Sequence, residues 1–188
     1  MSLLKKSHFT LLLFCLSFIA SVRGQVIILS NANFSGSSMA GPMNTSTAAG
    51  AASRYAYIYP QATVSSLRHG DSIRSVSFMR NGGGAITGTC NLKIFMRTTV
   101  NNNYGANNIN WVNQTGATAM KKVYDKSPIA EIGSNAGWVR FEFTTPFVVD
   151  TVFGKNLEIL VEYTQASTQS ASVFWSFENS ASISGLAA

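Results

Sequence analysis

Leu157, Ile159, Val161 and Tyr163 alternate with Glu158, Glu162 and Thr164 along Asn156–Thr164. One apolar and one polar face at period two is the mark of a half-buried strand. Leu160 alone breaks the polar face, which is ordinary because protein surfaces keep many apolar atoms. Trp138–Phe143 repeats the pattern, with Val139, Phe141 and Phe143 inward and Arg140 and Glu142 outward. In Thr89–Thr98, Cys90, Leu92, Ile94 and Met96 share a phase, and Asn91, Lys93 and Arg97 take the other. Further short runs are Gln25–Ser30, Arg54–Tyr59, Ser72–Arg80, Ala119–Tyr124 and Ser172–Phe177, all bounded by Gly, Asn, Ser or Pro. No stretch of the mature chain keeps a helical period. About eight strands at this spacing predict an all-β fold, a two-sheet antiparallel β-sandwich that is jelly-roll-like. Leu92, Ile94, Val139, Phe141, Leu157, Ile159 and Val161 are its expected core. Asn81-Gly82-Gly83-Gly84 reads as a hairpin connection between two strands.

Two segments lack periodicity. Asn31–Ala52, rich in Ser, Gly, Ala and Thr, reads as a long connection between the first two strands. Thr99–Thr118 holds seven asparagines and no charge, with Tyr104 and Trp111 inside it. Asn favours turns through local side-chain bonds, so this predicts a long surface loop. In SRYAYIYP, Ser53–Pro60, three tyrosines fall on every second residue and share one face. They either line the core or form an exposed stacking platform. Tyr can bury its ring and keep its hydroxyl at a polar rim, whereas unpaired Arg54 does not belong inside. The tyrosines are therefore expected to point inward.

The N-terminus changes the picture of charge and compartment. Lys5 and Lys6 precede the apolar run Phe9–Ala20, followed by small residues at Val22 and Gly24. This predicts a signal peptide over 1–24, and the apolar run within it is too short for a membrane span, which needs about 20 residues. The domain is then expected over 25–178, and 179–188 reads as a linker or a truncated boundary. Loss of Lys5, Lys6 and Arg23 halves the formal net charge of +6. The remaining basic residues are scattered, without the cluster that nucleic acid or an anionic membrane requires. Cys90 is left alone, which excludes an intrachain disulfide and suggests a small buried hydrophobe.

Catalytic chemistry finds little material. His69 is the one histidine after Gly24, which excludes a multi-histidine metal site, and it sits in a turn beside Gly70. Glu158 and Glu162 share a strand face but stand about 13 Å apart at ~3.3 Å per residue. Glycosidase carboxylate pairs are spaced about 5–9.5 Å apart. No Asp-rich calcium loop appears, and the Gly82–Gly88 region lacks the Lys-Ser/Thr of a phosphate loop. The expectation is a protein that is not an enzyme, without a metal or cofactor.

The order GPM, SRYAYIYP, GDSIRSVSFMRNGGG, NLKIFMRTT, VY, GWVRFEF-TPF and NLEILVEY, over about Gly41 to Thr164, resembles a β-sandwich module of Bacteroidetes proteins exported by the type IX secretion system. The matching positions include Arg54, Tyr57, Tyr59, Phe78, Lys93, Trp138, Phe141, Pro146 and Leu157. The resemblance implies an extracellular or cell-surface module of a larger protein, adhesin-like or attached to a hydrolase. The expected role is structural or adhesive, with a carbohydrate-binding module targeting a hydrolase as the alternative. Partners would be surface glycans or other domains of the same protein. Sugar recognition would fall on Tyr104, Asn108 and Trp111, since rings stack on sugars and amides bond their hydroxyls. The competing reading, slightly favoured, makes Trp111 a hydrophobic anchor that pins the loop to the sandwich. Asp71-Ser72-Ile73 and Asp150-Thr151-Val152 resemble O-glycosylation acceptors of exported Bacteroidetes proteins, which marks Ser72 and Thr151.

Overall fold

Period-two patterning produces strands almost everywhere it occurs in this computed structural model, which describes residues 26–27, 36–39, 41–104, 120–152 and 154–177. The strands are β1 (Gly36–Ser38), β2 (Ala52–Tyr59), β3 (Ser72–Gly83), β4 (Cys90–Thr99), β5 (Lys121–Lys126), β6 (Gly137–Val148), β7 (Asn156–Gln165) and β8 (Val173–Phe177). One helical turn, α1 (Ile129–Ile132), links β5 to β6. The first sheet runs β1-β8-β3-β6 and the second β2-β7-β4-β5. Every pairing is antiparallel.

Four of the pairs are nested: β1 with β8, β2 with β7, β3 with β6, and β4 with β5. The chain is thus one long hairpin rolled into two sheets, which is the jelly-roll arrangement. Its tip is the segment between Thr99 and Lys121, where the asparagine-rich stretch lies.

The inner faces meet as the alternation predicts. Leu92, Ile94, Val139, Phe141, Leu157, Ile159 and Val161 are all buried in one cluster. Phe141 of the first sheet meets the Tyr124 ring of the second edge-on, with centroids 5.6 Å apart. That geometry matches the ring quadrupoles and locks the layers in register. Tyr57 and Tyr59 pack against this core and stack on each other with centroids 6.4 Å apart. Burial pushes the Tyr59 hydroxyl up to about 12. Arg54 points the other way, onto Glu162. Two of the three tyrosines of SRYAYIYP thus line the core; Tyr55 is half-buried, with its ring against Gly41.

Three expectations are corrected. The first strand is Gly36–Ser38, within the presumed connection; Val26 and Ile27 carry no strand, and the rest of Gln25–Ser30 lies outside the described residues. Part of that connection is also packed: Met43 and Thr45 are fully buried, and Trp175 Nε1 donates to Thr45 Oγ1, while Thr47–Gly50 are exposed. Asn81–Gly84 does not close a hairpin. β3 runs through to Gly83 against β8, and β4 belongs to the other sheet.

The glycines serve the preceding arginine instead. Arg80 is fully buried, and its guanidinium donates to the carbonyls of Gly82, Gly83 and Gly84 and to those of Ile132 and Gly133. All five of its N–H groups are thereby used. Gly83 has φ of 87°, and a Cβ there would stand 2.1 Å from the Ser172 carbonyl oxygen. Only glycine lets the backbone curl its carbonyls round the cation so close to β8. The cage joins the end of β3 to the end of α1.

Candidate functional site

Two places carry polar chemistry: the outer face of the second sheet and one end of the sandwich. On the outer face, register alone sets three rows. Arg54, Glu162, Lys93 and Asp125 stand side by side across β2, β7, β4 and β5. Glu162 accepts from Arg54 Nε and Lys93 Nζ, each at 2.9 Å. Partial burial works against ionisation, yet these cations hold its carboxyl below the usual glutamate value.

The next row is apolar. Ala56, Leu160 and Phe95 are buried on the face away from the core, and Tyr104 and Met120 pack over them. Leu160 is therefore covered, contrary to the expectation for an outward position. The last row holds Ile58, Glu158 and Arg97. Glu158 is fully buried; it accepts from Arg97 Nε at 2.5 Å and from the Tyr104 hydroxyl at 2.9 Å. Burial first, and the Glu158 charge next, push the Tyr104 hydroxyl above its ordinary value. Tyr104 after β4 and Met120 before β5 are thus both fastened to the sheet.

The end of the sandwich gathers the turn after β2, the end of β4, the turn after β6 and the start of β7. Asn156 ties them: its Oδ1 accepts from the Gln61 amide, and its Nδ2 donates to the carbonyls of Val100 and Asn101. Gly154 lies so close to Thr99 that a Cβ would fall 2.0 Å from the Thr99 carbonyl carbon. Between these segments opens a cleft of 220 Å³. Val64, Val149 and Leu157 give it an apolar floor, and Arg68, His69, Lys155, Thr151 and Gln61 a polar rim. His69 is exposed, as its turn predicts, with Nδ1 3.5 Å from Asp150 Oδ1.

The sequence-predicted site residues fall as follows. Tyr104 is half-buried, with its hydroxyl on Glu158; Asn108 and Trp111 lie outside the described residues. Ser72 is exposed at the start of β3, and Thr151 lines the cleft. The fold brings their tripeptides together: Ser72 pairs with Val148, and the Val149 amide donates to the Asp71 carbonyl. Among the described residues no group of three His, Cys, Asp or Glu side chains could hold a metal. None of the helices there is long and apolar enough to cross a membrane.

Sequence reasoning missed the cleft and the cover over Leu160. The cleft has no local motif, because its lining comes from segments up to 96 positions apart, Gln61 and Leu157 being the extremes. The cover did leave a signal: Phe95 and Leu160 are apolar between charged neighbours on that face, Lys93 and Arg97 for one and Glu158 and Glu162 for the other. Comparison with protein-family models, curated proteins and solved structures finds no match to this chain.

Proposed function

We propose that this chain is a non-catalytic β-sandwich module of a secreted or cell-surface protein, with a structural or adhesion role within a larger exported protein. The observation that carries the reading is the state of its carboxylates. Each Asp and Glu among the described residues is already engaged: Glu158 and Glu162 as above, and Asp125 on Lys122 and Asn91. Glu131 and Glu142 pair with Lys126 and Arg140, Asp150 with His69, and Asp71 accepts from the Arg68 amide. Acid–base catalysis needs carboxyl groups poised on a substrate; these tie strands and turns together.

The basic start and apolar run of residues 1–24 support export, and the ordered motifs from Gly41 to Thr164 support a type IX secretion module. The alternative, a carbohydrate-binding module that targets an attached hydrolase, is favoured by the cleft at the end of the sandwich. An epitope tag on the native protein, probed on intact cells and after fractionation, tests the location. Binding to immobilised surface polysaccharides, together with assays on chromogenic glycosides and esters, tests the role. Surface accessibility without turnover is the expected result. A tag confined to the cell interior, or turnover that co-purifies with the protein, overturns the reading.

A further inference from the structure

The cleft beside His69 holds chemistry that a scaffold does not use. Its two cationic side chains, Arg68 and Lys155, come from segments far apart in sequence. His69 also lines it, with Asp150 Oδ1 3.5 Å from its Nδ1 and no carboxylate among the lining residues themselves. The floor residues Val64, Val149 and Leu157 are 3%, 3% and 4% exposed, so the base is dry and fixed. Hydroxyl and amide groups of Ser65, Thr151 and Gln61 complete the wall. At 220 Å³ the space is smaller than the about 300–1,000 Å³ of sites for drug-sized ligands. It suits one sugar ring or a small acid.

The composition of the lining narrows the ligand. Neutral sugars are commonly held by stacking on Phe, Tyr or Trp, and none of these lines the cleft. What remains is charge. An arginine fork matches a carboxylate or sulfate group, and a lysine adds a point charge beside it. The apolar floor suits the C–H face of a ring, and the hydroxyl and amide groups suit its hydroxyls. The walls are also preorganised. The Val64 amide donates to the Pro60 carbonyl, the Leu67 amide to Val64 and the Gly70 amide to Val149, while Asp71 holds the Arg68 amide at 2.7 Å. A site that is already ordered loses little entropy on binding.

We infer that this cleft binds a saccharide residue carrying a carboxylate or sulfate group. The inference rests on the adhesive side of the function proposed above and names its ligand class. It is tested by following backbone amide shifts of the labelled protein during titration with methyl glucuronide, glucose 6-sulfate, methyl glucoside and sodium sulfate at constant ionic strength. One of the two charged sugars should give saturable shifts confined to residues 61–71 and 149–156. Which of them does so distinguishes carboxylate from sulfate. The neutral glycoside and free sulfate should bind about tenfold more weakly or worse. R68Q/K155Q, which alters two exposed side chains, should lose affinity by about tenfold or more at unchanged melting temperature.

No saturable shift with either charged sugar, equal binding of the neutral glycoside, or equal binding of sulfate alone overturns the inference. Two outcomes separate it from the adhesive role. Equal retention of wild type and R68Q/K155Q on surface polysaccharide overturns the cleft and leaves adhesion standing. Saturable binding of a charged sugar, with no retention on any surface, overturns adhesion and leaves the cleft.

Discussion

Arg80 is a charge inside a sandwich, balanced by the dipoles of five carbonyl groups. Truncating it to Met would leave those acceptors buried without donors, at about 1–3 kcal/mol for each that water does not reach. Arg80→Met should therefore lower unfolding free energy in urea by about 3 kcal/mol or more, and Arg80→Lys, with three donors in place of five, should recover only part. Unchanged stability in the Met variant would mean that the cage contributes nothing. Phe141 is the plainer case: fully buried between Phe78 and Tyr124, it should cost about 3–5 kcal/mol on truncation to Ala. Tyr104 separates anchoring from recognition. Its ring covers Leu160 and its hydroxyl satisfies Glu158, so Tyr104→Phe should cost about 1–2 kcal/mol, and Tyr104→Ala more. A melting temperature unmoved by Tyr104→Ala would return the ring to the list of exposed stacking groups.

β7 is the element that sets both faces of the second sheet, lying between β2 and β4. Its inner residues were legible because alternation ran unbroken from Leu157 to Tyr163. Its outer residues were not, because period two states which face a side chain takes and is silent about what lands on that face later. Leu160 and Glu158 are buried by Tyr104, which arrives from a loop without periodicity. β1 was misplaced for a related reason: three residues of Gly and Ser carry no apolar pattern, and β8 alone defines that strand. β6 ran beyond its expected end, through Pro146; as an edge strand, bonded only to β3, it tolerates a residue without an amide proton. The charged row of β7 gives a pH prediction. With the folded pKa of Glu162 depressed, its contribution is present above the unfolded value and lost as pH falls through the folded one. Glu162→Gln should destabilise the protein at pH 7 and cost progressively less in urea titrations taken from pH 5 toward pH 3. A penalty that stays constant over that range would exclude the ion pairs as its source.

At the scale of the molecule, seven of the eight strands and the two-layer class were readable from spacing, and the strand order was not. Pairings such as β1 with β8 join residues far apart in sequence, and no local pattern encodes them. The cleft at the end of the sandwich is hidden by the same fact, since β4, β7 and two turns build it only after the hairpin has rolled up. The outermost pair has a mechanical consequence. Gly36 stands directly opposite Phe177, so the start of β1 and the end of β8 lie side by side at a single corner of the sandwich. Within the larger protein proposed above, a module held at that corner would hang beside the path of the chain and add little to its length. Tension between the two attachment points acts across the β1–β8 ladder, breaking its hydrogen bonds one after another, where a pull along the strands would load them together. Stretching single molecules from residues 36 and 177 should peel β1 away at low force before the rest yields. Rupture of the whole sandwich in one high-force event would contradict this geometry. If the adhesive role proposed above holds, a surface built from such units would yield gradually under load, each releasing a short length of slack before its core is strained.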